Sequence, residues 1–502
     1  MESNYTRRQA VRWASAATMA TTFLPLTGKY GAWAHPADKK LATRMLGRTG
    51  REVTTFGLAG GNKVMWDLPG DEAVKIVVKA VRAGVTYLET ANNYQLSQLN
   101  YGKAFDILNL KPGKPGYDAG LRGRLFIATK TGLRTGLVRG DAKPVGNSAG
   151  GGKLVVEDLE RALTQFFGDG KGYIPEGAYL DLLQIHHIGA QEDVDAAFEG
   201  YDNPGDKSLE RVGAIATLLD FRDGSNLTGL NPKGRKWIRH IGITGHENPA
   251  VHMDAIQRDH KRVLDTLLVV CNPNDPHYFC HQTNSIPVAN AAGMGIIGMK
   301  VFADGVMYGL EKRYASKPGQ SVLSVGQPGK VAPQDFIRYT LNPDGMSTII
   351  TGIGLIDDSN DPEKDQVVAN LAAAQMATKL TPLEKKEIED RVAALHGTQT
   401  NFFQRPSVGF QAPLDPQVRR VDDATVEVSW NNAFAAGDPI ERYEVWRRDE
   451  RIATVPYTPQ ISKEPFRYRD EHAPKGHMGG LWYHVRAVDS AGRTAHTLSQ
   501  RA

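Results

Sequence analysis

The stretch VTYLETANNY, residues 85–94, carries a run of β-branched and apolar residues to a carboxylate, Glu89, and reaches a tyrosine, Tyr94, five residues later. The stretch before it, DEAVKIVVKAVRAG at 71–84, has apolar residues three and four positions apart and ends at a glycine, as an amphipathic helix does. A helix that leads into a short buried strand is part of a βαβ unit, so this segment predicts a parallel sheet.

The same alternation recurs along most of the chain. The eight predicted strands cover residues 54–60, 85–89, 125–130, 179–186, 238–244, 266–271, 295–300 and 347–352. Eight strands separated by helices favour a closed (β/α)8 TIM barrel of the α/β class. An open doubly wound sheet is the alternative, and it is disfavoured because no G-x-G-x-x-G motif follows the first strand. Residues 44–53 predict a hairpin that closes the bottom of the barrel.

The residues beyond 400 alternate apolar and polar positions with a period of two, and turns come roughly every ten residues. This pattern predicts a small all-β sandwich after the barrel. The stretch LWYHVRAVDSAGRTA at 481–495, together with Trp430 in an earlier strand, resembles a fibronectin type III domain over residues 410–502. The alternating aromatic side chains are interpreted as its core.

Composition excludes several classes of protein. The 502 residues include 60 Lys and Arg against 56 Asp and Glu, and a net charge of +4 without long runs of one sign disfavours nucleic acid as a partner. The only cysteines are Cys271 and Cys280, so neither a disulfide framework nor a zinc motif is expected, and we predict no metal. One disulfide bond between them and two free thiols both stay open.

The N-terminus has the organisation of an export signal. Arginines in TRRQAVRW, residues 6–13, precede an Ala- and Thr-rich apolar run, and Ala32-Trp33-Ala34 has the form of a cleavage site. Residues 1–34 resemble a twin-arginine signal peptide, which implies the twin-arginine export machinery as a partner and a periplasmic or secreted location after folding. A membrane anchor is the alternative, but this run is shorter than the roughly 20 residues that span a bilayer. We expect no stable membrane span in the mature chain.

Polar side chains end three successive predicted strands. Glu89, Lys130 and His186 end the second, third and fourth strands, and Tyr94 follows shortly after the second. The carboxyl ends of barrel strands converge on one mouth, so these four side chains are expected to lie together. His187 is a second candidate histidine, but strand alternation predicts that it points to the opposite side from His186.

The chain resembles the aldo-keto reductase family. The motifs that carry this resemblance follow one another in the family's order and are AVRAGVTYLETANNY at 80–94, YLDLLQIHH at 179–187, IGITGHENP at 241–249, GIIGMKVFADG at 295–305 and STIITGI at 347–353. They cover roughly residues 44–380, and we assign the barrel domain to residues 44–400. The resemblance implies an oxidoreductase that transfers hydride between a nicotinamide nucleotide and a carbonyl or alcohol substrate.

The resemblance also implies a role for each catalytic candidate. Tyr94 would be the general acid, and Lys130 would lower its pKa. Glu89 would pair with the lysine, and His186 would orient the substrate carbonyl. The family usually has aspartate where this chain has Glu89, so the extra methylene is expected to push the carboxylate further into the pocket and to alter the ion pair.

Cofactor contacts carry over from the family in part. By resemblance, the residues expected to bind NADP or NAD are Thr244, Asn272, Lys300, Gly352, Gly354 and Asn370. Three usual contacts are replaced, because Gly245 stands for an asparagine, and Leu268 and Cys271 stand for a glutamine and the aromatic residue that stacks on nicotinamide. A tight turn explains Gly352 and Gly354 equally well. Acidic residues at 357, 358 and 361 would repel a 2′-phosphate, so the choice between NAD and NADP stays open.

These features predict an exported oxidoreductase that acts on a small-molecule carbonyl, with a sugar as the favoured substrate. Because the periplasm holds no pool of nicotinamide nucleotide, the cofactor would have to be tightly bound. One alternative is an enzyme whose bound NAD oxidises and re-reduces a sugar, for a net elimination or hydrolysis. The other is a non-catalytic binding protein. The C-terminal sandwich is interpreted as a spacer or docking module.

Overall fold

The computed structural model describes residues 41–67, 71–132, 151–209, 212–303, 331–358, 360–361, 364–400, 404–475 and 480–502. The predicted signal peptide at residues 1–34 lies outside this part of the chain. Within it, no helix combines the length and the apolar character that crossing a membrane requires.

Eight parallel strands form the closed barrel that the sequence predicts. With a preceding hairpin, the strands are β1 (Thr43–Met45), β2 (Glu52–Thr54), β3 (Phe56–Ala59), β4 (Tyr87–Glu89), β5 (Phe126–Thr131), β6 (Leu180–Ile185), β7 (Ile238–Gly245), β8 (Leu264–Val270), β9 (Gly295–Met299) and β10 (Met346–Thr351). Each strand from β3 to β9 pairs with the next, and β10 returns to β3. All eight predicted barrel strands are confirmed.

Helices cover the outside of the barrel. In the described part of the chain they are α1 (Lys63–Asp67), α2 (Asp71–Arg82), α3 (Ser97–Ile107), α4 (Ala119–Arg124), α5 (Gly152–Phe166), α6 (Gln191–Phe198), α7 (Ala214–Asp223), α8 (Pro249–Arg258), α9 (Ser285–Ala291), α10 (Pro333–Thr340), α11 (Gln366–Gln375) and α12 (Pro382–His396). In α2 the side chains of Ala73, Val77 and Val81, four residues apart, are buried in the core between helices and strands. The apolar spacing thus fixes the face that each helix turns to the barrel.

The hairpin of β1 and β2 closes the bottom of the barrel, as predicted. The two strands pair in antiparallel register, and Leu46 in their connection belongs to the cluster that fills the barrel interior. Arg48 Nη1 donates a hydrogen bond to Ala292 O at 2.7 Å. Gly47 has a φ of 50°, and a Cβ at this position would lie 2.1 Å from Gly295 N. Glycine is therefore needed where the hairpin meets the barrel.

The packing of the barrel interior determines which side chains reach the mouth. Tyr87, Phe126 and Leu182, on β4, β5 and β6, lie in one buried interior cluster. Side chains along a strand alternate between its two faces, so residues two or four positions further along point the same way. On these three strands those residues are Glu89, Lys130 and His186. The interior packing therefore directs all three side chains to the mouth.

The C-terminal region forms two antiparallel sheets. Their strands are β11 (Leu414–Arg420), β12 (Val426–Asn431), β13 (Ile440–Arg447), β14 (Glu450–Pro456), β15 (Phe466–Asp470), β16 (Trp482–Asp489), β17 (Thr494–His496) and β18 (Gln500–Arg501). Trp430 is fully buried between Tyr443 and Phe466, with ring centroids 5.6 and 6.0 Å away. The predicted all-β sandwich and the core position of Trp430 are confirmed. The resemblance to fibronectin type III stays a prediction.

The sandwich is attached to the barrel by buried hydrogen bonds. Asn284, just before α9, donates through Nδ2 to Ala435 O at 3.2 Å, and its Oδ1 accepts from Ala435 N at 2.9 Å. Gln257 on α8 donates through Nε2 to Asn432 Oδ1 at 3.1 Å and to Gln460 O at 3.0 Å. These side-chain amides use both donors and acceptors, so they define one orientation of the sandwich on the barrel.

Candidate active site

The four predicted catalytic side chains meet at the mouth of the barrel. Lys130 Nζ forms an ion pair with the Glu89 carboxylate, and both side chains are buried. The same Nζ donates to Thr90 O at 3.0 Å and lies 4.8 Å from the centroid of the Tyr94 ring. The His186 ring packs edge-on against Tyr94, with ring centroids 5.7 Å apart. The longer side chain of Glu89 therefore still reaches the lysine.

Tyr94 is held by a turn and by an aromatic neighbour that the sequence did not indicate. Its N–H donates to Ala91 O at 3.2 Å, and its ring packs against Trp66 with centroids 5.1 Å apart. Trp66 Nε1 donates in turn to Gly60 O at 2.9 Å. A Cβ at Gly61 would lie 3.0 Å from the tyrosine ring. The ring position of Tyr94 thus depends on β3 and α1, where no motif marked a functional residue.

Burial and positive charge determine the protonation states of the buried side chains at the mouth of the barrel. Burial lowers the pKa of Lys130 well below its usual value, and the charge of Lys300 lowers it further. The direct contact with Glu89 acts in the opposite direction, because an adjacent carboxylate favours the ammonium form. Burial, and then the charge of Lys130, lowers the pKa of His186. His186 is therefore neutral at neutral pH, with one ring nitrogen as a donor and the other as an acceptor.

Two buried polar side chains near Tyr94 have unpaired atoms. Among the described residues, neither His186 Nδ1 nor the two amide atoms of Asn92 have a hydrogen-bond partner. Asn92 is only 1% exposed, and leaving a buried polar group unpaired costs about 1–3 kcal/mol. Atoms of this kind are expected to bind water or a ligand. Asn92 lies in the ETANNY motif, and its place two residues before Tyr94 is the signal that could have identified it.

A second pair of histidines lies next to the four catalytic candidates. The Nδ1 atoms of His187 and His246 are 2.9 Å apart, so one of them carries a hydrogen and donates a hydrogen bond that the other accepts. His187 has a φ of 58°, a left-handed backbone conformation that residues other than glycine rarely adopt. Strand alternation therefore does not set the direction of the His187 side chain. Thr244 Oγ1 accepts from the His187 N–H at 3.0 Å. One predicted cofactor residue thus supports this strained turn after β6.

Several of the predicted cofactor residues already have hydrogen-bond partners within the chain. Asn272 is buried, and its Nδ2 donates to Lys300 O and to Thr400 Oγ1, both at 3.2 Å. The N–H of Gly354, another predicted cofactor residue, donates to Gln366 Oε1 at 2.7 Å. A nucleotide that uses these two groups must compete with internal hydrogen bonds.

The other predicted cofactor residues follow β9 and β10 or lie on α11. Lys300 has a φ of 59° directly after β9, and its charge lowers the pKa values of the buried groups at the mouth. A Cβ at Gly352 would lie 2.6 Å from Asn62 Nδ2, so this glycine allows a close internal contact. Asn370 Nδ2 donates to Thr351 Oγ1 at 3.1 Å. The cofactor role of all six residues stays a prediction.

Packing accounts for the three residues that replace the usual cofactor contacts of the family. A Cβ at Gly245 would lie 2.2 Å from the buried ring of His252. Leu268 belongs to the interior cluster of the barrel, whereas Cys271 belongs to the core between strands and helices. Burial raises the pKa of Cys271, and both Cys271 and Cys280 are free thiols. The two cysteines therefore do not form a disulfide bond with each other.

Replacing Gly245 with alanine is expected to destabilise the protein by about 1–3 kcal/mol, because the new methyl group would overlap the ring of His252. The free energy of unfolding in urea measures this effect. Gly123→Ala is the matched control, since no atom lies within 4 Å of a Cβ at that position in α4. The control is expected to leave stability unchanged or slightly raised. Equal stabilities of the two variants would contradict the role of Gly245 in packing.

Comparison with known proteins identifies the family. The model of the aldo/keto reductase family matches residues 55–324, more than half of the 502-residue chain. A search of curated proteins gave no match.

Three solved structures illustrate the similarity, and each is named as an aldo-keto reductase. A protein of Pseudomonas aeruginosa is 19% identical, with 67% of this chain and 94% of that chain covered and a TM-score of 0.41. One of Bombyx mori, in complex with NADP, is 16% identical, with coverage of 70% and 94% and a TM-score of 0.43. One of Klebsiella pneumoniae, in complex with NADP and acetate, is 15% identical, with coverage of 72% and 99% and a TM-score of 0.41. On the match of the family model, the chain belongs to the aldo/keto reductase family of oxidoreductases.

Proposed function

We propose that the chain is an exported oxidoreductase that reduces a carbonyl, or oxidises the corresponding alcohol, with NAD or NADP, and that its favoured substrates are sugars. One observation carries the proposal. The Lys130–Glu89 ion pair lies against the ring of Tyr94, and His186 packs against the same ring. This arrangement can move a proton to or from a substrate oxygen, which is what hydride transfer to a carbonyl requires.

The proton is assigned to the hydroxyl of Tyr94. A phenol with an ordinary pKa near 10 gives up its proton poorly at neutral pH. The ammonium of Lys130 next to the ring stabilises the phenolate that forms, and Glu89 keeps that positive charge on the lysine. In reduction, the Tyr94 O–H bond breaks as the proton passes to the carbonyl oxygen, and water later returns a proton to the phenolate. Oxidation of the alcohol is the reverse.

The unpaired atoms at the mouth fit a nicotinamide nucleotide and a carbonyl substrate. The buried amide of Asn92 offers a donor and an acceptor that match a carboxamide or a hydroxyl, and neutral His186 can donate to a carbonyl oxygen. Lys300, directly after β9, carries a positive charge that would attract the diphosphate of such a nucleotide. When bound, the nucleotide supplies the hydride.

Export is supported by the twin-arginine pattern at residues 6–13, which lies outside the described residues. A protein that folds before export can carry a nucleotide from the cytoplasm. Since the periplasm has no pool of this cofactor, we propose that the nucleotide is tightly bound and is regenerated on the protein by a second substrate.

The test is mass spectrometry of the small molecules released on denaturation from protein that has been exported through its own signal and purified without added nucleotide. NAD or NADP in near-equimolar amount is expected, and its identity would decide the 2′-phosphate question. Protein that carries neither nucleotide and binds neither when supplied would overturn the proposal. Product analysis that shows no net change in the nucleotide would favour the elimination or hydrolysis alternative.

A non-catalytic binding protein is the second candidate function. It is favoured by the internal hydrogen bonds of Asn272 and Gly354, which occupy two groups expected to contact the nucleotide. Titration of the folded protein with NAD and NADP, followed by tryptophan fluorescence, separates the candidates because Trp66 lies against Tyr94. No change with either nucleotide would favour the binding protein.

A further inference from the structure

The loop after β8 is joined by hydrogen bonds to the segment that leads from the barrel to the sandwich. This segment, the linker, comprises the described residues 397–400 and 404–406. Asn274 Nδ2 donates to Gly397 O at 3.0 Å and to Gln399 O at 2.6 Å. Phe279 N donates to Arg405 O at 3.1 Å. The loop at residues 271–282 therefore holds the linker at its beginning and near its end.

A buried carboxylate lies at the centre of this junction. Asp275 is fully buried, and its Oδ1 accepts from Gln404 Nε2 of the linker at 2.5 Å. Its Oδ2 accepts from Asn272 N at 2.5 Å and from Gln282 Nε2 at 3.3 Å. All three donors are neutral amides, and Asp275 forms no ion pair with the residues that the structure describes. Burying an unpaired charge is unfavourable, so docking of the linker opposes ionisation of Asp275.

The groups around Asp275 do not supply the missing positive charge by direct contact. The neighbouring titratable or charged side chains are Cys271 and Cys280 in the same loop, Tyr339 on α10, Lys385 and Glu389 on α12, and Arg405 in the linker. Burial raises the pKa values of the two thiols and of the tyrosine, so these three stay neutral. Lys385 pairs with Glu389 at 3.5 Å, and Arg405 lies 3.8 Å from Glu247. His277, two residues after Asp275, is exposed.

The linker side chain can serve both forms of the carboxyl group. Burial raises the pKa of Asp275 from 3.8 to about 7, since its hydrogen bonds and the charge of Lys385 offset the desolvation only in part. Gln404 Oε1 is buried and has no hydrogen-bond partner among the described residues. Half a turn of this amide would exchange Oε1 and Nε2, and Oε1 could then accept from the O–H of protonated Asp275. The ionised form keeps the present bond from Nε2.

We propose that Asp275 is a proton-dependent clamp, which holds the linker on the barrel more firmly when it is protonated and less firmly when it is ionised. The inference is independent of the proposed function, because neither a nucleotide nor a substrate takes part. It gives the junction between the two domains a regulatory role, since the pH of the surroundings would set how often the linker opens.

The sign of the effect follows from the raised pKa. Opening of the linker exposes Asp275 to water, where its pKa returns towards its ordinary value, so the closed state binds the proton more tightly than the open state. The stabilisation is complete in acid, below the ordinary pKa. It is lost as the pH rises through about 7. Opening should therefore become about 10- to 100-fold more frequent between pH 5 and pH 8.

The test follows amide hydrogen exchange of Phe279 in the full chain, because this N–H donates across the junction. Its protection factor should fall about 10- to 100-fold from pH 5 to pH 8. In Asp275→Asn, which has a similar shape and cannot ionise, protection should stay high throughout. Asp158→Asn is the matched control, since Asp158 is also buried and accepts from Thr131 Oγ1 at 2.7 Å, and it should keep the pH dependence. Constant protection in the unaltered protein, or a pH dependence that survives in Asp275→Asn, would overturn the inference.

A second measurement on the unaltered protein decides the question even if Asp275→Asn does not fold. The nuclear magnetic resonance signal of the Gln404 side-chain amide, assigned by its loss in Gln404→Met, should shift with a midpoint near pH 7. The side-chain amide of Gln257, which donates to Asn432 Oδ1 and Gln460 O, should not shift at this midpoint. A Gln404 signal that stays constant between pH 5 and pH 8 would show that Asp275 does not titrate at the junction, and the inference would fail.

Discussion

Replacing Tyr94 with phenylalanine is expected to lower turnover by about 10²- to 10⁴-fold, the usual contribution of a positioned general acid. The substitution removes the hydroxyl and keeps the ring that packs against Trp66 and His186. Binding of the nucleotide and the free energy of unfolding should therefore change little. Steady-state kinetics with the best substrate and a nucleotide titration together measure the effect.

The control for this substitution is Tyr173→Phe, at a tyrosine that is 63% exposed. It removes the same atom without touching the mouth, and its turnover should equal that of the unaltered protein. Retention of more than about a tenth of the turnover in Tyr94→Phe would show that another group donates the proton. Loss of turnover together with loss of nucleotide binding would instead assign Tyr94 a structural role.

Replacing Lys130 with methionine is expected to destabilise the protein by about 3–5 kcal/mol at neutral pH, because it leaves the carboxylate of Glu89 buried without its partner. Methionine has a similar length and fills the space of the lysine side chain. The cost therefore comes mainly from the unpaired charge and not from a cavity. Urea denaturation at neutral and mildly acidic pH measures it.

The sign of the pH dependence follows from the same charge. In Lys130→Met we expect burial to raise the pKa of the unpaired Glu89 carboxyl. Protonation of this carboxyl removes the buried charge, so the variant should gain stability relative to the unaltered protein as the pH falls. The double variant Lys130→Met/Glu89→Gln removes both charges and should recover most of the lost stability at neutral pH. If the single variant is as stable as the double one, the buried ion pair does not have the energetic role inferred from its geometry.

The barrel could be predicted because each strand is coded locally. A short β-branched run bounded by a helix is sufficient evidence of a buried parallel strand, and all eight runs form barrel strands. Only boundaries differ. The first predicted strand began at residue 54, but Thr54 pairs with Thr43 in the hairpin, and the barrel strand begins at Phe56. Pairing partners in three dimensions decide such ends, and a single run does not encode them.

The catalytic candidates could be placed because strand periodicity carries over from the packed interior to the mouth. Glu89, Lys130 and His186 are in phase with interior residues of their strands, and a carboxylate, a lysine and a histidine in that phase are conspicuous. No such rule reaches Trp66. The same is true of the segment after the barrel, which meets the loop after β8 through contacts between residues more than a hundred positions apart, as in Gln404 with Asp275. Sequence periodicity has no information about these contacts.

The reciprocal hydrogen bonds between Asn284 and Ala435 make one amide proton a reporter on two domains. The Ala435 N–H belongs to the sandwich, but its acceptor, Asn284 Oδ1, belongs to the barrel just before α9. Local opening of the barrel at this helix would expose that proton to solvent even while the sheets of the sandwich stay folded. The rate of hydrogen exchange at Ala435 would therefore report local opening of the barrel. A ligand that binds at the mouth and makes such opening rarer would slow the exchange of this proton in the smaller domain.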